Sequence, residues 1–497
     1  MGAKRWKLSE LLRAGNVRMS GRFPDLTVSQ ITDDSRRVEE GALFVAVRGT
    51  GADGHRFIPQ ALRRGAKVVL IEEDVPVPDS VVKVHVASTR SLLGPLAHAF
   101  YGASSRRMKV VGVTGTKGKT TVTWLIQHLL NSAGVSCGLM GTVCHRFGSE
   151  ERPSDNTTPG AVQLQAGLAE MLDRGVQACA LEVSSHALDQ NRTDGIRWAC
   201  GVFTNLAPEH LDYHQTLERY LEAKLRLFQS LSSEAMAVIN RDDPVWERVR
   251  EATSASVLTF GLREGANLTG RILRASLEGM ECTLTTPQGI FQVKVQLIGL
   301  HNLENLLAAL GAVIALGVPP RQVLEAIPTF AGVPGRLERI ECGQPFPVFV
   351  DYAHTDGALR RVLEQLRSLS PRRICTVFGC GGDRDRAKRP RMGRVAAELS
   401  DRVIITSDNP RSEDPAEITQ QILTGTEGAA APCQVILDRR EAIQAALGSA
   451  DEHWLVLIAG KGHEGVQIFS NRTVPFDDRT VVRELLERNR IGRGCAV

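Results

Sequence analysis

Met108-Lys-Val-Val-Gly-Val-Thr-Gly-Thr-Lys-Gly-Lys-Thr-Thr121 is the stretch from which the architecture can be read. Its apolar part (Val110, Val111, Val113) is β-branched and too short for a helix, as a buried parallel strand is. A glycine-rich turn follows, and Thr121-Val-Thr-Trp-Leu-Ile-Gln-His-Leu-Leu130 spaces its apolar residues as a helix does. Strand, turn and helix start make a phosphate cradle. Backbone amides and the positive helix end face the anion, Lys119 reaches the terminal phosphates, and Thr120 offers its hydroxyl to Mg2+. The full pattern G-x-x-x-x-G-K-[ST] is not met, because Val113 stands where its first glycine belongs. Gly115, Gly118, Lys119 and Thr120 form a shorter variant, and Thr116, Lys117 and Thr121 complete the expected nucleotide contacts. A nucleoside triphosphate site is expected here.

On the N-terminal side, residues 1–105 mix short strands and helices and are expected to form one domain, ending in the polar linker Tyr101-Gly-Ala-Ser-Ser-Arg-Arg107. Leu43, Phe44, Val45 and Val47 read as a strand. Ser35 and the turn at Thr50 to Gly54 could present donors at its ends, although the residues alone favour an ordinary surface turn.

On the C-terminal side, residues 106–333 alternate strands with helical stretches, the pattern of a parallel α/β sheet. Asp155-Asn-Thr-Thr-Pro-Gly160 is a loop dense in donors. Ala178-Cys-Ala-Leu-Glu-Val-Ser-Ser-His186 is a buried strand with polar groups just beyond its carboxyl end, where such sheets bind ligands. Glu182 is placed to hold the metal of the nucleotide, directly or through water. Taken alone, His210 reads as a packed or surface histidine and Lys224, in the helix 216–231, as solvent-facing. Residues 255–298 alternate apolar and polar positions between glycine breaks, as a small β insertion would. Gly332-Val-Pro-Gly-Arg336 is a turn-rich joint.

Residues 334–497 add strands at Val348–Asp351, Ile374–Phe378, Val403–Thr406, Val435–Leu437 and Leu455–Ile458, each ending in a polar or glycine-rich loop. That is a Rossmann-like open sheet with its crevice at the strand ends. Gly379-Cys-Gly-Gly382 does not indicate NAD, because G-x-G-x-x-G with a following acid is absent.

The 497 residues suit about three domains. A hydrophobic share of 42% and a charged share of 23% are those of a soluble globular enzyme. The net charge of +4 is scattered, which gives no argument for nucleic acid or a membrane surface. There is no apolar run of membrane-spanning or signal length. The 10 cysteines include no Cys-x-x-Cys pair, so free thiols and a cytoplasmic setting are expected.

Together, the P-loop variant, Asp155-Asn-Thr-Thr-Pro159, Leu181-Glu-Val-Ser-Ser-His186, Asn205-Leu-x-x-Glu-His210-Leu-Asp212, Asp351-Tyr-Ala-His354 and Gly381-Gly-Asp-Arg384 resemble the Mur ligases, in order and over nearly the whole length. The resemblance implies a UDP-binding domain (1–105), a central ATPase domain (106–333) and a Rossmann-like domain that binds an amino acid (334–497). It implies ATP with two Mg2+ ions, a UDP-muramyl dipeptide and meso-diaminopimelate as small-molecule partners, and a monomer.

Residue by residue, the family implies Lys119 and Thr120 at ATP and Mg2+, with Glu182 and His210 serving two metal sites. Asn302, Arg336 and Asp351 would touch the nucleotide. Ser35, Thr50, Gly51, Ala52, Asn156, Thr157, Thr158, Ser184, Gln190 and Arg192 would hold the UDP-muramyl dipeptide. Lys224 matches the family's N6-carboxylated lysine, which reverses its solvent-facing reading: a free ammonium repels Mg2+, whereas a carbamate supplies hard oxygens.

Asp408-Asn-Pro-Arg411 matches the string that in this family accompanies meso-diaminopimelate rather than lysine. Diaminopimelate carries a distal carboxylate that lysine lacks, and a planar guanidinium can grip it at two points. Arg384 and Arg411 are the implied clamps, with Pro410 in the same string. Glu464 and Asp408 or Asn409 are available to the ammonium, and Gly460 allows close approach.

Lys117, Glu209 and Asp356 depart from the family's usual residues without removing a polar group on which a role depends. The expected chemistry is attack of a substrate carboxylate on the γ-phosphate, then displacement of phosphate by the amine, with domain closure excluding water. His210 is the candidate to deprotonate the amine. A lysine-adding relative, a folate-glutamylating relative and a nucleotide-switch ATPase are the alternatives.

Overall fold

The structure is a computed structural model that describes residues 5–17, 26–49 and 51–494, with side chains as far as 488; Thr50 lies outside the described residues. The chain folds as two compact units. One comprises Met1–Arg271, Cys282–Val293 and Leu300–Phe330, and the other Ile272–Glu281, Lys294–Gly299 and Ala331–Val497.

In the first unit, strand Lys109–Thr114 occupies the centre of a parallel sheet. Ala178–Glu182 and then Cys137–Met140 lie on one side of it, and Trp198–Phe203, Met236–Asn240 and Ser256–Gly261 on the other. Val110, Val111 and Val113 are fully buried, which is why this strand has no polar face. Register does the positioning. Glu182 pairs with Val113 and Phe203 with Thr114, so the residues that follow both neighbouring strands emerge beside the phosphate loop. This is the switch point where open α/β sheets bind ligands.

The sheet is not wholly parallel, because Cys144–Phe147 and Glu150–Pro153 form an antiparallel edge beyond Cys137–Met140. The expected β insertion begins as part of this sheet, since Ser256–Gly261 runs parallel to Met236–Asn240. Strands Leu268–Ser276, Gly279–Thr286 and Gly289–Val295 then follow. Near the N-terminus, Gln30–Thr32, Ala42–Val45, Val68–Ile71 and Val82–His85 form a second sheet, parallel and in chain order.

The second unit contains a six-stranded sheet in the order Glu338–Ile340, Val348–Asp351, Trp454–Ala459, Arg373–Phe378, Arg402–Ile405, Cys433–Val435. Only the first strand is antiparallel. The late strand Trp454–Ala459 inserts between two earlier ones, which places the loop at Gly460 between those at Asp351 and Gly379. The strand expected at 435–437 is displaced to Cys433–Val435, because Ile436 and Leu437 already turn toward Asp438, whose side chain caps the helix Arg439–Gly448.

Arg439 and Asp478 are fully buried and paired through two hydrogen bonds of 2.7 Å. The same guanidinium donates to Ala459 O (3.1 Å) and Ser407 O (3.4 Å), tying the ends of two sheet strands to the C-terminal helix. Removing one partner of such a pair leaves a buried charge without compensation. Asp478→Asn is therefore expected to destabilise the fold by about 3–5 kcal/mol in a urea titration; a loss below about 1 kcal/mol would show that the pair does not brace the sheet.

Candidate active site

The phosphate loop is held open by its neighbours. Gly115 and Gly118 have positive φ (149° and 89°), and a side chain on either would strike Thr204 or Asn305 respectively. Asn205 closes the loop from outside, accepting from Thr116 N at its carbonyl (2.8 Å) and from Lys117 N at Oδ1 (2.9 Å). Lys119 curls back to donate to Gly115 O (2.8 Å) and Thr116 O (2.9 Å). Lys224 donates to the same Gly115 O at 2.8 Å.

Lys224 is 1% exposed, so the solvent-facing default is overturned. Helix Leu217–Gln229 puts it on the buried face with Tyr220, over whose ring Nζ lies 4.2 Å away. Burial first, then the nearby Lys119 charge, pushes its pKa well below that of an ordinary lysine.

Glu182 is fully buried beneath the loop. Its carboxylate accepts from Thr120 Oγ1 (2.9 Å), Thr142 N (2.8 Å) and Thr142 Oγ1 (3.1 Å). Carboxylate and hydroxyl oxygens at hydrogen-bond spacing are the hard donors Mg2+ takes, so Thr120 and Glu182 fit one ion. A second set, His210 with Lys224, fits a cation only if the lysine is carboxylated.

His210 sits at a left-handed backbone position (φ 58°). Its ring packs 4.9 Å from His186, which also meets Tyr213 (4.3 Å) and His214 (5.4 Å). Burial, then His210 and His214, lowers the pKa of His186 to about 4. Burial also lowers that of His210. Both rings are therefore neutral near pH 7.

Several residues expected at the muramyl substrate come together here. Thr158 Oγ1 donates to Glu182 O (2.8 Å) and accepts from Ser184 N (3.0 Å). Arg192 donates to Thr158 O (3.1 Å) and, through Nη2, to Gln190 Oε1 (2.7 Å). Thr157 Oγ1 meets Thr142 Oγ1 at 3.0 Å, and Asn156 is exposed in the same loop. Ser35 instead lies in the N-terminal sheet region, donating to Gln60 Oε1 (2.8 Å), with Gly51 and Ala52 exposed. Asn302 accepts from Asn305 Nδ2 (3.0 Å).

In the second unit, Arg411 Nη1 donates to Gly382 O (2.8 Å). A side chain at Gly381 would meet that nitrogen at 2.9 Å and Arg384 Cγ at 3.9 Å, so the Arg411 guanidinium and the stem of Arg384 flank a bare glycine. Arg384 is exposed, whereas Asp408, Asn409 and Pro410 are buried. Asn409 Nδ2 donates to Glu464 Oε2 (2.7 Å), and a side chain at Gly460 would lie 2.8 Å from Asp408 Oδ2. Asp351 accepts from Leu337 N (2.6 Å) and Ala353 N (2.8 Å), which braces the turn carrying Arg336. Arg336 in turn lies 4.6 Å over the Tyr352 ring.

Sequence reasoning missed Thr142 and the clasp between Arg389 and Glu413, and noted Asn305 only as an amide at a helix start, without a role. Arg389 is fully buried and grips both Glu413 oxygens at 2.9 Å while also donating to Gly381 O (3.2 Å). Glu413 accepts from Asp383 N (2.6 Å), so one ion pair locks the loop of Arg384 to that of Arg411. A basic Lys-Arg-Pro-Arg run gives no signal that its second residue is buried.

Three family models match the chain: the Mur ligase middle domain over residues 113–313, the Mur ligase glutamate ligase domain over 335–462, and the Mur ligase family catalytic domain over 27–101. The chain is 41% identical over 476 residues (95% of this chain, 96% of the other) to the UDP-N-acetylmuramoyl-L-alanyl-D-glutamate–2,6-diaminopimelate ligase of Geobacillus thermodenitrificans. It is 42% identical over 469 residues (93% and 95%) to the protein of that name from Geobacillus kaustophilus. A solved structure of a UDP-N-acetylmuramoyl-L-alanyl-D-glutamate–2,6-diaminopimelate ligase superposes with a TM-score of 0.72 at 34% identity, covering 97% of this chain and 99% of its own.

The Arg389 guanidinium, the largest influence on Glu413, lowers that carboxyl from 4.5 to about 2. The unfolded chain therefore takes up the proton first as pH falls, and the clasp's stabilisation, complete above about 5, is lost progressively toward 2. Glu413→Gln is expected to be less stable than the unaltered protein at pH 7, with the gap narrowing between pH 5 and 2 in parallel denaturation curves. A gap independent of pH would contradict the charged clasp.

Proposed function

The chain belongs to the Mur ligase family, and on that premise we propose how its residues divide the work. It is an ATP-dependent ligase that joins meso-2,6-diaminopimelate to the D-glutamate of UDP-N-acetylmuramoyl-L-alanyl-D-glutamate, a step in peptidoglycan precursor synthesis. Among the described residues no helix is long and apolar enough to cross a membrane, and we place the reaction in the cytoplasm, where ATP is available.

Activation of the carboxyl group belongs to the first unit. A carboxylate oxygen attacks the γ-phosphorus, the bond to the bridging oxygen breaks, and ADP leaves an acyl phosphate. Carboxylate and triphosphate repel each other, so cationic groups must face both. Lys119 supplies a cation, and the loop amides of Gly118 to Thr120 add neutral donors, those of Thr116 and Lys117 being held by Asn205. Thr120 and Glu182 would hold one Mg2+, and His210 with carboxylated Lys224 a second; when bound, the ions neutralise phosphate charge. The depressed pKa of Lys224 supports carboxylation, because only the neutral amine attacks CO2. Thr157, Thr158, Ser184, Gln190 and Arg192 are our candidates for the muramyl peptide, and Ser35 with the turn at 50–52 for the uridine diphosphate.

Selection of the amine belongs to the second unit. What supports diaminopimelate over lysine is the pair Arg384 and Arg411 around a bare Gly381, with Glu464 nearby: two cations for a distal carboxylate and an acid for its ammonium. A ligand lacking that carboxylate leaves the half-buried Arg411 on its backbone carbonyl alone and forgoes a charge-assisted contact. The amine nitrogen attacks the acyl carbon, and phosphate leaves with the electron pair.

The direct test is product analysis. ATP, the UDP-muramyl dipeptide and diaminopimelate together should yield ADP, phosphate and the tripeptide in equal amounts, with no tripeptide when any one is omitted. ATP hydrolysis that ignores both acceptors would refute the reading. Lys119→Ala is expected to lower kcat about 10²–10³-fold, the range for removing one preorganised cation or donor; a loss under about tenfold would remove Lys119 from the chemistry.

A further inference from the structure

Lys461 lies inside the Gly460–Glu464 loop, yet no role described above uses it. It is fully buried, and its ammonium donates to Val466 O (2.6 Å), Asn409 Oδ1 (3.1 Å) and Glu464 Oε2 (3.4 Å). A lysine ammonium has donors only. The backbone N–H of Ile468, also a donor only, reaches the same Asn409 Oδ1 at 3.0 Å. Two obligate donors on one atom fix the polarity of the amide: that end is oxygen. The amide nitrogen of Asn409 therefore faces the other way, where it donates to Glu464 Oε2. Ile468 also accepts from Arg411 N (3.0 Å), so the same short strand registers both the asparagine and the arginine.

Burying an ammonium is costly, and an apolar residue of similar volume in its place is often no less stable. A lysine here makes physical sense if its charge is needed. It touches two groups of the amino-acid cluster at once, setting the direction of one and partly balancing the charge of the other.

We propose that Lys461 is a positioning residue for the amino-acid substrate: acting through Asn409 and Glu464, it holds the Glu464 carboxylate where it receives the distal ammonium of a diamino acid. The assignment rests on reading this cluster as the amino-acid site. It makes a distinction among the cations of the cluster. Diaminopimelate and lysine share the distal ammonium, so the contact organised by Lys461 serves both. The distal carboxylate belongs to diaminopimelate alone, so Arg411 serves one.

The test is Lys461→Met in the full chain, with steady-state kinetics for diaminopimelate and for lysine. KM for diaminopimelate should rise about tenfold, while kcat and KM for ATP stay within about twofold and the preference for diaminopimelate over lysine is kept. An unchanged KM for diaminopimelate, a parallel loss of kcat and ATP affinity, or an altered preference would each overturn the proposal. If that variant does not fold, Asn409→Asp retains the lysine but turns an acceptor toward Glu464. It should raise the same KM, and an unchanged value would overturn the proposal. Absence of product from the unaltered protein with either amino acid is a separate outcome that refutes the site reading itself.

Discussion

Two lysine side chains converge on one carbonyl oxygen. Lys119 and Lys224 both donate to Gly115 O at 2.8 Å, and one of them is buried almost completely. A backbone carbonyl is a weak partner for a single cation, and two cations sharing it would repel each other, which with burial favours the neutral form of Lys224. The arrangement is tolerable because strand register fixes the loop and helix Leu217–Gln229 fixes Lys224, leaving the lysines little freedom to separate. An incoming triphosphate, or a carbamate on Lys224, relieves that repulsion. The local stress and the affinity for anions are the same fact.

The second unit uses the same device. Arg411 donates to Gly382 O, a neutral partner that it can give up for a carboxylate. The groups that keep it in place are charged and paired with each other: Arg389 with Glu413, and Arg439 with Asp478. Strong, buried ion pairs thus build the frame, and the cations we assign to the ligands, Lys119 and Arg411, rest on backbone carbonyls. The frame resists rearrangement, and the ligand-facing groups can exchange partners at little cost.

How much of this is legible in the chain follows from distance along it. The phosphate cradle is local, with strand, glycines and Gly-Lys-Thr inside a dozen residues, and Glu182 could be placed because it ends an obvious strand. Partner choice over long separations leaves no local trace: Arg389 meets Glu413 24 residues on, and Arg439 meets Asp478 39 residues on. Lys224 misled the bare residue reading because helical periodicity marks a buried face by its apolar members and is silent about a polar one among them. Strand order was equally hidden. Insertion of Trp454–Ala459 between earlier strands is what brings Gly460, Lys461 and Glu464 to Asn409 and Arg411.

On our reading, Arg411 is an exchangeable cation for the one group that separates diaminopimelate from lysine. The measurement that bears on it most directly is competition between the two amino acids for amide formation, run on the unaltered protein and on Arg411→Ala. The unaltered protein should favour diaminopimelate strongly, and the variant should lose that preference by about 10²-fold or more, chiefly through weaker use of diaminopimelate. A variant that keeps its preference would contradict that role for Arg411.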